Sequence, residues 1–265
     1  STTATLKTVG LMPSAMNIDQ WADGVMTALE NDNNTSNSWY TYSQLAKKYK
    51  GSYIDLATSA NPFGTAAFTD VSDFVFDDNT NWVNSLFDST WSTEQNLSVS
   101  GGSEKSSYRV SFSYLYDGST LRFGNNRNQR YNFRVNNTYQ LAKNLVLESS
   151  ISYHRQEQVA PTFIGSVLTT SIPMPGLPFE SLNGKPYAWG TWGSPVAKVT
   201  EGGDNKLSVS GININESLKY TITDWLNATV DLGYNSGTAT RHTVENGIDY
   251  YNYKGDTVVL TRPTQ

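Results

Sequence analysis

Large apolar residues return at every second position in several stretches of the chain, separated by small polar or basic ones. In 107–116, Tyr108, Val110, Phe112, Tyr114 and Tyr116 alternate with Ser107, Arg109, Ser111, Ser113 and Leu115. A period of two sends successive side chains to opposite faces, so the segment predicts a strand with one aromatic face. Residues 128–141 repeat the arrangement. Tyr131, Phe133, Val135, Tyr139 and Leu141 share a face with Gln129 and Asn137, against Arg130, Asn132, Arg134, Asn136 and Thr138. Residues 145–153, 212–222 and 226–234 alternate similarly, and 95–100 make a shorter run. Glu216 interrupts the apolar face of 212–222. Leu207 and Val209 lie in the opposite phase to it, which predicts a bulge near Gly211.

The connections carry as much information as the strands. Residues 101–106, 140–144 and 223–225 read as tight turns, whereas 117–127 and 156–206 are long links and 10–93 is a long irregular stretch. Short and long links therefore alternate. In an up-and-down meander this puts every tight turn at one end and every long loop at the other, the asymmetry of transmembrane β-barrels. Within the long stretches, Ile18, Trp21, Val25, Met26 and Leu29 have helical spacing in 16–32, and 36–49 and 79–88 predict further short helices. The Pro/Gly-rich, apolar segment 160–195 is expected to pack. No linker or low-complexity tract divides the chain, which reads as one architectural unit.

Composition sharpens this picture. Hydrophobic residues make up only 37% of the 265 residues, yet there are 16 Tyr and 7 Trp. The apolar material is thus biased towards side chains with one polar end. A net charge of −5 gives no reason to expect a nucleic-acid partner. The absence of cysteine excludes disulfides and thiolate chemistry. No apolar run of about 20 residues is present, so no transmembrane helix is predicted, which leaves a β-barrel open. The chain begins without Met and stops in the strand-like "TVVLTRPTQ", and both ends read as cut.

The aromatic faces admit two readings: the core of a soluble sandwich with its other face in water, or a lipid-facing surface with Tyr near the strand ends as an interfacial girdle. The positions of Tyr108, Tyr114, Tyr116, Tyr153, Tyr220 and Tyr234 favour lipid. The lipid-facing set is then Tyr108, Val110, Phe112, Tyr114, Tyr116, Tyr131, Phe133 and Val135, while Arg109, Arg130 and Arg134 line a polar lumen.

Catalytic chemistry finds little support. His154 and His242 are the only histidines and lie far apart. Asp77, Asn79 and Asn81 have D-x-N-x-N spacing, but Trp82 replaces the glycine of a calcium loop and the closing Glu is missing, so a capping turn is the better reading. No enzyme activity, cofactor or metal is expected. Trp39, Tyr40, Tyr42, Tyr187, Trp189 and Trp192 are candidate substrate contacts, because flat rings suit sugars or peptides; packing within the loops is the competing reading.

Residues 79–119, "NTNWVNSLFDSTWSTEQNLSVSGGSEKSSYRVSFSYLYDGS", resemble the SusC-like TonB-dependent outer-membrane transporters, with "SVSGGSEK" before an aromatic strand the most specific piece. Residues 130–153, 194–199 and 224–235 are similar to the following hairpin, the N-P-x-A segment and the next turn and strand of that family, in the same order. Asn81 and Ser194 stand where the family has Asp and Asn. The resemblance implies an all-β fold, an antiparallel up-and-down transmembrane barrel segment with long, partly helical extracellular loops. Residues 1–265 would be its early part; the plug and the remaining strands of a roughly 22-stranded barrel would lie outside this chain. It also implies a bacterial outer-membrane location in contact with lipid, a SusD-like surface lipoprotein as partner, and the TonB system acting through an N-terminal part preceding Ser1. The substrate implied is an oligosaccharide or peptide. The alternatives are a soluble or surface glycan-binding β-sandwich, and an outer-membrane barrel for adhesion or secretion without TonB.

Overall fold

The alternating segments form strands in the computed structural model, which describes residues 1–8, 16–56, 58–62, 73–76, 86–165, 175–178, 180–188 and 194–263. In chain order the elements are β1 (Thr2–Lys7), α1 (Ile18–Asn31), α2 (Ser38–Lys48), β2 (Ser52–Asp55), β3 (Asp73–Phe76), β4 (Thr90–Ser103), β5 (Ser106–Gly118), β6 (Arg127–Ala142), β7 (Leu145–Pro161), α3 (Pro195–Thr200), β8 (Asp204–Thr223), β9 (Leu226–Thr243), β10 (Ile248–Tyr251) and β11 (Val258–Arg262). Seven of them make one open antiparallel sheet in the order β1-β4-β5-β6-β7-β8-β9; β2-β3 and β10-β11 are separate hairpins. The sheet is a simple meander except at its edge, where β1 pairs with β4 across the long first loop.

Glu104-Lys105, Lys143-Asn144 and Asp224-Trp225 turn the chain at one end of the sheet. The connections 8–89, 119–126 and 162–203 all lie at the other end. The strands are longer than the alternation alone predicts: β7 runs on to Pro161 and β8 spans 20 residues. The expected bulge near Gly211 is absent. His154 pairs with Gly211, Gly211 pairs with Gly237, and neither ladder shifts register there. Leu207 and Val209 therefore belong to the polar face of β8. Gly211 is needed for a different reason: a Cβ there would stand 2.5 Å from Cε1 of the His154 ring lying across it.

The core lies beneath the loops, outside the sheet. Ile18, Tyr42, Ala46, Phe74, Phe76, Leu86, Leu121, Leu177, Tyr187, Val196 and Val199 belong to one buried cluster; Ala188, Ala197, Ile248 and Tyr250 form a second. Val159 and Pro161, both at the loop end of β7, carry the buried apolar side chains of the seven-stranded sheet among the described residues. The predicted helices at 16–32 and 36–49 are α1 and α2. Asn17 closes a capping box with Gln20, Asn37 caps α2 through the Trp39 amide, and each helix turns its apolar stripe inward. Ser194 caps α3, with Pro195 in its first turn. Burying rings such as Phe74 and Phe76 stabilises by about 1.5–3 kcal/mol each. The exposed pairs Lys47–Asp23 and Lys50–Asp19, at 2.5 and 2.8 Å, are solvated and screened and add little. Most of the helix predicted over 79–88 and the Asp77–Asn81 turn lie outside the described residues.

Candidate functional site

Three surfaces could carry function: the two faces of the sheet and the loop cap. The first face is apolar from edge to edge. Val110, Val135, Ile151, Ile214 and Tyr234 fall in one row across five strands, with Phe112, Phe133, Tyr153 and Ile212 in the next. Tyr114 and Tyr131 pair across β5 and β6 with ring centroids 4.9 Å apart. These rows have no partner layer among the described residues: Leu97 is 67% exposed, Leu232 69% and Val99 56%. A soluble sandwich would cover such a face with a second sheet, and water-soluble proteins rarely expose apolar patches of this extent. At the ~40° tilt of membrane-barrel strands, the apolar band from Ile212 to Ile222 on β8 would stand roughly 25 Å tall at ~3.3 Å per residue, the height of the outward band of such barrels.

One polar row interrupts the band. Asn137, Ser149 and Glu216 are consecutive across β6, β7 and β8, and the Ser149 hydroxyl donates to Glu216 at 2.5 Å.

The second face is a polar ladder. Asn132 donates to Ser113 at 2.9 Å, Ser150 to Asn136 at 2.9 Å, Gln156 to Asn128 at 3.1 Å, and Lys219 pairs with Glu148 at 2.6 Å. Two adjoining hollows of about 490 and 430 Å³ open on this face and share Ser111, Asn132 and Arg134; one adds Arg109, the other His154. The arrangement presents amide, hydroxyl and guanidinium donors on one face of the sheet.

The loop cap is tied together at Asp73, which is 1% exposed. The Tyr187 hydroxyl donates to one carboxylate oxygen at 3.1 Å and the Tyr253 amide to the other at 2.6 Å. Burial pushes the Asp73 carboxyl above its usual range, while those two donors pull it down. Lys254 reaches Asp55, the register partner of Asp73, at 2.6 Å. Segments from the first loop, from the β7–β8 loop and from the chain after β9 therefore meet at one carboxylate.

The candidate substrate contacts separate in this setting. Tyr42 and Tyr187 are each 2% exposed. Tyr42 packs among Trp21, Trp39, Phe74 and Phe76, and Tyr187 contacts Tyr253, so both rings are core members without a ligand-facing side. Burial accordingly raises both phenols. Trp39 is half-buried against Trp21 at 6.3 Å, and Tyr40 donates to Glu30 at 2.7 Å. Trp189 and Trp192 lie outside the described residues. The Asp73 node left no sequence signal, because Asp73 is one of four aspartates in 70–78 and nothing local singles it out.

No family model matches the sequence, and no curated protein matches it. Solved structures do match. One, described as the RagAB peptide transporter, aligns with a TM-score of 0.64 at 17% identity, covering 98% of this chain and 30% of that one. Another, the RagAB peptide importer in its "closed-closed" state, gives 0.61 at 16% identity with the same coverages of 98% and 30%. The likeness is one of fold. The chain thus spans about 30% of the length of these transporter chains and matches them over nearly all of its own.

Proposed function

We propose that this chain is part of a bacterial outer-membrane β-barrel importer of the SusC-like, TonB-dependent kind. Its apolar sheet face meets lipid, its polar face lines a lumen, and its loop cap faces outward. The observation that carries the reading is the inversion of the fold, with an uncovered apolar face on the sheet and a buried core only under the loops. The tight turns then lie on the periplasmic side. In this reading a SusD-like lipoprotein seats on the cap, and the TonB system drives transport through a plug elsewhere in the polypeptide. The cargo is a peptide or an oligosaccharide; the similar solved structures, being described as peptide transporters, favour peptide.

The test is uptake by cells carrying the full-length gene. Labelled oligopeptides and oligosaccharides should accumulate only with an intact TonB system and the neighbouring lipoprotein. A full-length protein that stays in the aqueous phase without detergent would overturn the membrane assignment. Uptake that is indifferent to TonB would overturn the energy source.

A further inference from the structure

The distribution of cations on the apolar face points to a second kind of ligand. Across the seven strands, the residues in phase with Phe112 and Phe133 include three Arg or Lys: Arg127, Arg155 and Lys206. All three lie at the loop end: Arg155 one row beyond that formed by Phe133, Tyr153 and Ile212, and Arg127 and Lys206 three rows beyond it. The turn end of the same face presents Tyr139, Leu141, Leu145, Tyr220, Ile222 and Leu226 and no strand cation. A cation held at the edge of the hydrocarbon band sits at the level of lipid headgroups.

These cations are organised. Glu157 lies between Arg155 and Lys206, at 3.4 and 3.0 Å, and is itself poorly exposed. Each cation keeps close to half of its side-chain surface open, 49% for Arg155 and 46% for Lys206. The contact to Glu157 engages only part of the five guanidinium and three ammonium donors. Ser208, Ser210, Thr238 and Thr240 fill the adjoining outward positions on β8 and β9 and add hydroxyl donors. Arg127 contacts Asn125, which in turn donates to Asp204 at 3.3 Å. Three cations against Glu157 and Asp204 leave the patch with one net positive charge.

We infer that Arg155, Lys206 and the flanking hydroxyls form a binding site for the phosphate of a membrane-lipid headgroup in the leaflet at the loop end. The inference rests on the proposed membrane orientation. Glu157 holds the two cations in place while their free donors meet the phosphate oxygens. The apolar rows beneath, ending in Phe133, Tyr153 and Ile212, take the acyl chains.

The experiment uses the full-length protein reconstituted into phosphatidylcholine nanodiscs with or without phosphatidate. Phosphatidate retained per protein is measured by native mass spectrometry after partial delipidation. The parent protein should retain it in preference to phosphatidylcholine. The R155Q/K206Q double variant should lose that preference by about tenfold, because two charge-assisted contacts are removed. Unchanged heat-dependent gel migration shows that the variant barrel is intact, and S208A/S210A, which keeps the charges, should give an intermediate loss. Equal retention by parent and double variant would overturn the site. Complete displacement by inorganic phosphate would identify it as a soluble-anion site and overturn the lipid assignment. Failure of the protein to enter nanodiscs at all would instead count against the proposed function.

Discussion

The Tyr187 hydroxyl donates a hydrogen bond of 3.1 Å to the Asp73 carboxylate across 114 positions of sequence, joining the β7–β8 loop to the first loop. Removing that donor in Tyr187→Phe leaves a buried carboxylate short of a partner. The expected cost is about 1–3 kcal/mol of cap stability. Limited proteolysis of the full-length protein should show earlier cleavage in the loops with no change in the strands.

The same carboxylate makes the cap sensitive to pH. Burial raises Asp73 above its unfolded value, so the folded cap binds a proton more readily than the open one. Stability must then fall as pH rises from the ordinary Asp range, near 4, through the raised folded value. Loop protection should be greater at mildly acidic pH than at pH 7. Asp73→Asn should flatten that part of the profile, and an unchanged slope in this variant would assign the effect to another group.

On β9, Asp231 and Leu232 are neighbours on opposite faces. Leu232→Arg should cost about 2–4 kcal/mol in a bilayer, whereas Asp231→Arg on the polar face should cost far less. Urea unfolding of the full-length protein from vesicles measures both. Equal costs would show that neither face meets lipid.

Within the "SVSGG" segment, Gly101 sits opposite Tyr108, and a Cβ there would fall 2.7 Å from the hydroxyl and 2.9 Å from Cζ of the ring. Gly101→Ala should therefore lift the Tyr108 ring and destabilise the β4–β5 hairpin by about 1–3 kcal/mol. Tyr108→Ala should remove most of that penalty. A double-mutant cycle reads the coupling directly.

Tyr42→Ala should cost about 3–5 kcal/mol of cap stability, because it empties the middle of the ring cluster around Phe74 and Phe76. Tyr40→Phe, which breaks only the exposed contact with Glu30, should leave cap stability nearly unchanged. The contrast, measured by thermal unfolding of the loops, separates core rings from surface rings.

The strands could be read from the sequence because their signal is local. Period-two alternation in 107–116 and 128–141 placed β5 and β6 to within a residue or two and put Phe112 and Phe133 on one face. Leu207 and Val209 misled for the same reason: a change of phase suggests a bulge, and only the unbroken ladder to β7 shows two apolar residues turned to the polar side. The pairing of β1 with β4 and the β2–β3 hairpin depend on contacts across long loops, to which no local pattern responds. Tyr42 and Tyr187 illustrate the limit at the candidate site. A loop tyrosine that grips a ligand and one that fills a core have the same spacing and the same neighbours in sequence, and only burial separates them.

The meeting of three loop segments at Asp73 also bears on how the sheet is assembled. In-phase slippage of a strand by two residues would move its loop by roughly 6–7 Å along the sheet. The bonds from Tyr187 and Tyr253 to a single carboxylate tolerate no such displacement. These bonds can form only when the strands leading into those three segments hold the correct register, so the loops proofread strand pairing from outside the sheet.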